Sequence, residues 1–285
     1  MKGRYWVGAC LMACAFAAFA AGGTTAVRAQ VEASLLLTGS ITVASDGRVS
    51  AHTLDKPDKL EPGIIAMINE TVPNWRFEPV LQNGKAIAAT AKMSFRVVAN
   101  KVDADHYAMR IRNASFWMPD VAPTRSTGKT IRKEMTPPRY PAVAYRSGVA
   151  GTVYLVARLD TDGHVLDVVA EQVNLSLVAS EREMDYFRDV LAAPALRAVR
   201  SWRLNPATDE EMASGKIRTV RVPVAYRLDR EPGYGRWEPY VPGPKQRIPW
   251  LTDEANERSS PDALVAGGVY QFGEGLRLLT PLGDG

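Results

Sequence analysis

Cysteine is close to absent: the chain has two, Cys10 and Cys14, both within the first 14 residues. Once a leader is removed, disulfides, thiol nucleophiles and cysteine-based zinc sites are all excluded. Histidine is equally scarce. His52, His106 and His164 have no ligand spacing between them, so each reads as a satisfied or solvated side chain. The patterns Gly-x-Ser-x-Gly and His-Glu-x-x-His are missing. "STGKT" at 126–130 resembles the end of a phosphate-binding loop, but Pro123 stands where that loop needs a glycine. "DTDG" at 160–163 resembles the start of a calcium loop, yet Gly163 interrupts the ligand pattern, and a hairpin turn is the simpler reading. These absences leave no catalytic set, cofactor, metal or small-molecule substrate in view, and the chain reads as a non-enzyme.

Charge is missing between Arg4 and Arg28, where "YWVGACLMACAFAAFAAGGTTAV" follows Lys2 and Arg4 and leads to "VRA". Residues 1–29 are expected to be a secretory signal cleaved after Ala29. The alternative is a retained membrane anchor, because the uncharged run approaches the ~20 residues that span a bilayer. Both place the remainder outside the cytoplasm. Without Lys2, Arg4 and Arg28, 32 basic residues face 31 acids, and the formal charge drops from +4 to +1. A nucleic-acid partner loses its electrostatic support.

What remains is repetitive. "VRSWRLNPA" at 199–207 echoes "VPNWRFEPV" at 72–80, and the likeness extends on both sides. The later copy runs "GTVYLVARLD", "TDGHV", "LDVVAEQV", "PALRAVRSW", "RLNPA", a "SGK" turn and "RTVRVPVAYRLD". In the earlier copy the order is "GSITVA", "SDGRV", "SAHTLD", "LEPGIIAMINETVPNW", "RFEPV", "NGK" and "AIAATAKMSFRVV". Landmarks recurring in one order mark an internal repeat. Each copy reads as strand, tight turn, strand, helix, strand. Asp-Gly between alternating apolar runs signals the hairpins, and Pro62 and Pro194 suit first helical turns. The fold class is therefore α+β: two small units, each an antiparallel sheet of three to four strands packed on a helix. The expected division is 33–118 for the first unit, 119–136 for a linker and 137–229 for the second unit. Residues 230–285 form a Pro- and Gly-rich tail, either extended or disordered, or a strap packed on a domain. "YAMRIRNASFW" at 107–117 reads as a further strand, and Ser180 with Glu183 as a capping box on a short inserted helix.

The last strand of the second copy alternates Val220, Val222, Val224, Tyr226 and Leu228 against Thr219, Arg221, Pro223, Ala225 and Arg227, which predicts one core face and one wet face. Pro223 has no N–H for a ladder, so this strand is expected at a sheet edge or bulge. The matching position in the first copy is Lys92, a charge that discourages edge pairing. Trp75 and Trp202 are expected to be equivalent core plugs at the two helix ends.

The second copy resembles the TonB C-terminal domain family. The family frame falls on Tyr140, Pro141, Gly151, Val153, Asp162, Gly163, Ala198, Val199, Trp202, Pro206, Val222 and Pro223, over about residues 137–229. The first copy is similar more loosely and lacks the Tyr-Pro opening. The resemblance implies recognition without catalysis: an extended peptide of an envelope or outer-membrane transporter protein adds to the edge strand, contacting Thr219, Arg221, Pro223, Ala225 and Arg227. It also implies an alternative, an anchored energy transducer for import, although the leader has no His and the family's long Pro-rich spacer is missing. Apart from the resemblance, a third reading is a structural envelope factor, a possible homodimer, whose two copies pack against each other or a second subunit and whose edges are occupied internally.

Overall fold

The computed structural model describes residues 32–101, 107–118, 135–213, 215, 218–228, 234–257 and 261–282. The expected leader and most of the expected linker lie outside them. Among the described residues no helix is long and apolar enough to cross a membrane.

Strand β1 (Glu32–Val43) alternates, and Leu35, Leu37, Ile41 and Val43 all enter one core. The Asp46-Gly47 turn returns the chain as β2 (Val49–Leu54), antiparallel to β1. Helix α1 (Pro62–Thr71) does open at Pro62, whose missing N–H is one the first turn leaves unpaired anyway. It buries Ile64 and Ile68, one turn apart, against the sheet. A 3-10 turn at Val72–Asn74 then drops Trp75 into the core. Its ring meets Phe77, Phe95 and Phe116 edge-on, with centroids 5.7 to 6.4 Å apart. A small hairpin, β3 (Val80–Gln82) with β4 (Lys85–Ile87), turns on Asn83 and Gly84, both at positive φ. Strands β5 (Ala89–Lys101) and β6 (Tyr107–Trp117) complete this part, and β6 pairs along β5 from Lys101 to Lys92. Lys92 therefore does not guard a free edge; its strand is covered by the additional strand.

After α2 (Ala142–Arg146), strands β7 (Gly151–Leu159) and β8 (Val165–Leu175) form a hairpin on Asp162-Gly163. Helix α3 (Glu181–Arg200) corrects two expectations at once. The Ser180 to Glu183 capping box is present, but it opens one long helix rather than a separate short one. Pro194 lies inside that helix and not in its first turn. The buried series Met184, Leu191, Ala195 and Val199 runs unbroken through Pro194, so packing on the sheet outweighs the backbone bond that a proline forgoes. Helix α4 (Asp209–Ala213) and β9 (Arg218–Tyr226) follow, and β9 pairs with β7 along its full length.

The two Trp-Arg segments make the same closures. Phe77 N–H donates to the Gly47 carbonyl and Leu204 N–H to the Gly163 carbonyl, each at 2.8 Å. Both glycines have positive φ, and a Cβ would lie 2.2 Å from the Phe77 carbonyl oxygen or 2.1 Å from that of Leu204. Only glycine permits this approach. In each copy the frame thus ties the chain after the helix back to the Asp-Gly turn.

The tail is the strap of the two alternatives. Strand β10 (Glu238–Tyr240) pairs with the start of β1, and Val241 exchanges both backbone bonds with Leu175 at the end of β8. After α5 (Asp253–Glu257), a turn at Pro261–Ala263 reaches both sheets. Its Ala263 carbonyl accepts from Ser94, and its Asp262 carbonyl from Arg96 and Tyr154. Strand β11 (Tyr270–Gln271) pairs with β9. Residues 277–280 bond back to Arg76 and Glu78 in the first Trp-Arg segment. The first sheet accordingly has one strand more than the three to four expected, and the second reaches four only with a strand from the tail. The first is five-stranded, β10-β1-β5-β6 with β2 also on β1, and the second is four-stranded, β11-β9-β7-β8. The architecture is α+β with antiparallel sheets.

Candidate functional site

Alternate residues of β9 turn their backbone groups away from β7. The Pro223 carbonyl accepts from Gly267 N–H at 3.1 Å, and the Thr219 carbonyl accepts from Phe272 N–H at 2.8 Å. In an antiparallel strand the N–H and C=O of one residue face the same side. The missing N–H of Pro223 therefore costs no bond to β7, which is why a proline sits at the middle of a well-paired strand. Thr219, Arg221, Pro223 and Ala225 alternate along β9 with the core residues Val220, Val222, Val224 and Tyr226, and Arg227 follows just past its end, but two expectations need correction.

The first concerns the edge, which is not free. Residues 267–272 run along β9, with Tyr270 opposite Arg221 and Gln271 opposite Val220. Their backbone bonds reach as far as Pro223, leaving Ala225 and Arg227 beyond the strap. The second concerns solvent: Thr219 and Pro223 are buried, so the second face is dry over most of its length. Arg221 forms a two-pronged pair with Glu171 of β8, Nε to Oε2 at 2.7 Å and Nη2 to Oε1 at 3.1 Å. Glu171 has 0% exposure, and the Phe272 ring lies 4.7 Å from the guanidinium carbon. This pair is buried by the strap and was not anticipated. An acid and a base at alternating positions of two strands, each on the supposedly wet face, was the available signal. Leu228, expected in the core, is exposed.

Tyr270 anchors the strap. Its ring packs edge-on against Trp117 of the first sheet at 5.2 Å, its hydroxyl donates to the Val265 carbonyl at 2.9 Å, and burial pushes the phenol up to about 12. Gln271 donates to Glu211, which also pairs with Arg218 at the start of β9. The Tyr-Val flank of β11 is too short for a strand to be read from periodicity. The glycines at 267, 268 and 273 that bracket it were the nearest sequence cue.

The remaining predicted residues are structural. The Tyr140 hydroxyl donates to the Val149 carbonyl at 2.6 Å, and its ring meets Tyr145 and Tyr226 edge-on. Pro141 is the N-cap of α2. Trp202 is buried in the second core and donates through Nε1 to the Thr136 carbonyl at 2.8 Å. Trp75 occupies the corresponding place in the first. In the second hairpin, Asp160, Asp162 and His164 offer ligand atoms within 4.8 Å of one another. Asp160 is already engaged: it accepts from the His164 N–H at 2.7 Å and approaches the ring Nδ1 at 3.2 Å, the geometry of a local turn.

Two curated proteins named Protein TonB, from two strains of Xanthomonas campestris pv. campestris, are each 37% identical to the chain over 98 residues. The match takes in 34% of this chain and spans only about a third of the relatives, 37% of their length. No family model matches the chain, and no solved structure matches it.

Proposed function

We propose that the chain is a non-enzymatic periplasmic protein built from two TonB-C-like units, and that it binds an extended segment of an envelope or outer-membrane transporter protein along β9. The observation that carries this reading is the strap itself. An extended stretch of chain already pairs with the outward backbone groups of Thr219, Arg221 and Pro223, so this edge can accept a strand. A partner would pair first beside Ala225 and Arg227, then displace residues 267–272. Similarity to TonB proteins supports the class of partner. The matching closures at Gly47 and Gly163 support the tandem.

The test uses the full chain and a Phe272→Pro variant, which loses the N–H that bonds Thr219 and the ring over Arg221. Synthetic peptides copied from transporter N-termini are titrated while the amide signals of Thr219, Arg221, Ala225 and Arg227 are followed. Shifts in these residues, larger and at lower peptide concentration in the variant, are the expected result. A variant whose β9 amides ignore every peptide at about 1 mM would refute edge addition.

A second reading has its own support: both outer edges of the second sheet are filled by the same chain, at Leu175 with Val241 and at Arg221 with Tyr270. On that reading the protein is a structural envelope factor and the strap is permanent. Slow hydrogen exchange of β9 and β11 in the presence of peptide would favour it.

A further inference from the structure

A cleft of about 570 Å³ opens between the two sheets, on the side of Arg227 and away from β11. Among the described residues that line it, Lys56, Lys59, Arg96, Arg227 and Arg236 face a single carboxylate, that of Glu238. The rim cations are exposed, with the Lys56 ammonium 5.8 Å from the Tyr234 ring. Five positive charges against one, around a concave wall of low dielectric, focus a positive potential into the cleft.

The inner wall supplies donors that the protein does not itself use up. Arg96 donates through Nε to the Asp262 carbonyl at 2.8 Å, through Nη1 to the Ser34 hydroxyl at 2.8 Å and through Nη2 to the Tyr154 hydroxyl at 3.4 Å. All three acceptors are neutral. The Asp262 carboxylate is turned elsewhere and is held by the Tyr240 hydroxyl and the Asn113 amide. Three of the five guanidinium N–H groups are thus committed, and the positive charge has no carboxylate in ion-pair contact among the described residues. Beside Tyr154, across β7 and β8, Asn174 is 4% exposed. Its Oδ1 accepts from Gly243 N–H at 3.1 Å, which fixes the orientation of the amide, and Nδ2 is left buried with no acceptor. A buried amide donor without a partner is costly, and the buried guanidinium, although the Tyr240 ring and the field of the Asp262 carboxylate steady its charge, leaves two N–H groups uncommitted. An acceptor carrying negative charge relieves both.

We infer that this cleft binds a small molecule with at least two oxyanion groups, carboxylate or phosphate, one met by Arg96 and Asn174 within and the other by the lysines and arginines of the rim. The volume suits a ligand of metabolite size. The cleft shares Arg227 with the proposed β9 edge, but its inner donors Arg96 and Asn174 lie off that edge, so loss of anion binding in Asn174→Asp and loss of peptide shifts along Thr219 and Arg221 are separate outcomes.

Citrate and pyrophosphate serve as probes, with glycerol as the uncharged control, titrated calorimetrically into the full chain and followed by amide shifts. Saturable binding of citrate, of pyrophosphate or of both is expected, shifting residues 34–38, 56–59 and 174–176 and weakening as salt rises. The two probes separate carboxylate from phosphate preference. Asn174→Asp keeps the acceptor for Gly243 and replaces the free donor with an anion. Lys59→Glu changes only the exposed rim. Each should weaken binding at least about tenfold while the unfolding temperature of the rim variant stays unchanged. No saturation by either probe below about 10 mM would overturn the inference. Equal affinity in wild type and Lys59→Glu would also overturn it, as would shifts confined to other surfaces.

Discussion

Replacing Arg221 by alanine should be among the most damaging single changes outside the two apolar cores. The guanidinium bonds both oxygens of Glu171, whose side chain has no exposure, while Phe272 covers the pair from the strap. Removing the arginine leaves a buried carboxylate without its two-pronged partner, although Lys245 of the tail still acts on it. Breaking a buried pair from one side costs about 3 to 5 kcal/mol. At about 2 to 4 °C per kcal/mol for a chain of this size, the unfolding temperature should fall by roughly 6 to 20 °C. Thermal and urea unfolding of Arg221→Ala, Glu171→Ala and the double variant give the coupling energy directly, and the double variant should lose much less than the sum. Repeating the cycle in Phe272→Pro asks whether the strap is what keeps water out. With the strap loosened, the coupling should fall toward the ~0 to 1 kcal/mol of an exposed pair. A loss under about 1 kcal/mol for Arg221→Ala, or strict additivity in the cycle, would show that the pair is solvated and that residues 267–272 do not seal β9.

The two tryptophans and two tyrosines supply further tests. Trp75→Ala and Trp202→Ala should each cost about 3 to 5 kcal/mol in urea unfolding, and because the rings belong to separate cores the losses should add. Burial pushes Tyr226 and Tyr270 each up to about 12 from 10. An unfolded chain releases these protons first, so the folded state holds more protons between those values and stability falls as pH rises through that window. Alkaline unfolding followed by tyrosinate absorbance should therefore show these two phenols ionising together with loss of structure; ionisation well before unfolding would refute their burial.

Local chemistry was readable without the fold. Pro62 opens α1 because a first helical turn has no use for its N–H, and Ser180 with Glu183 caps α3 because both groups are close in sequence. The Asp-Gly turns demand positive φ, and the tryptophans are large, apolar and placed at helix ends. Pro194 was misplaced, since a proline signals a first turn only until a long buried face holds the helix together around it. The outward set of β9 was legible from alternation and from Pro223. Its occupant was not, because β11 is two residues long and has no period to detect.

From the amino-acid order alone come the α+β class, the absence of cysteine after residue 14, the Asp-Gly turns and the alternation of core residues along β9. These depend on spacing within a few residues or on composition. Only the tertiary structure decides that Glu171 and Arg221 meet across β7, that Asp262 turns its carboxylate away from Arg96, and that residues 238–241, 261–263 and 267–272 bind both sheets. The reason is physical: such contacts join residues from about 20 to well over 100 positions apart, and their geometry is set by sheet register and by how the strap seats, neither of which any local pattern encodes.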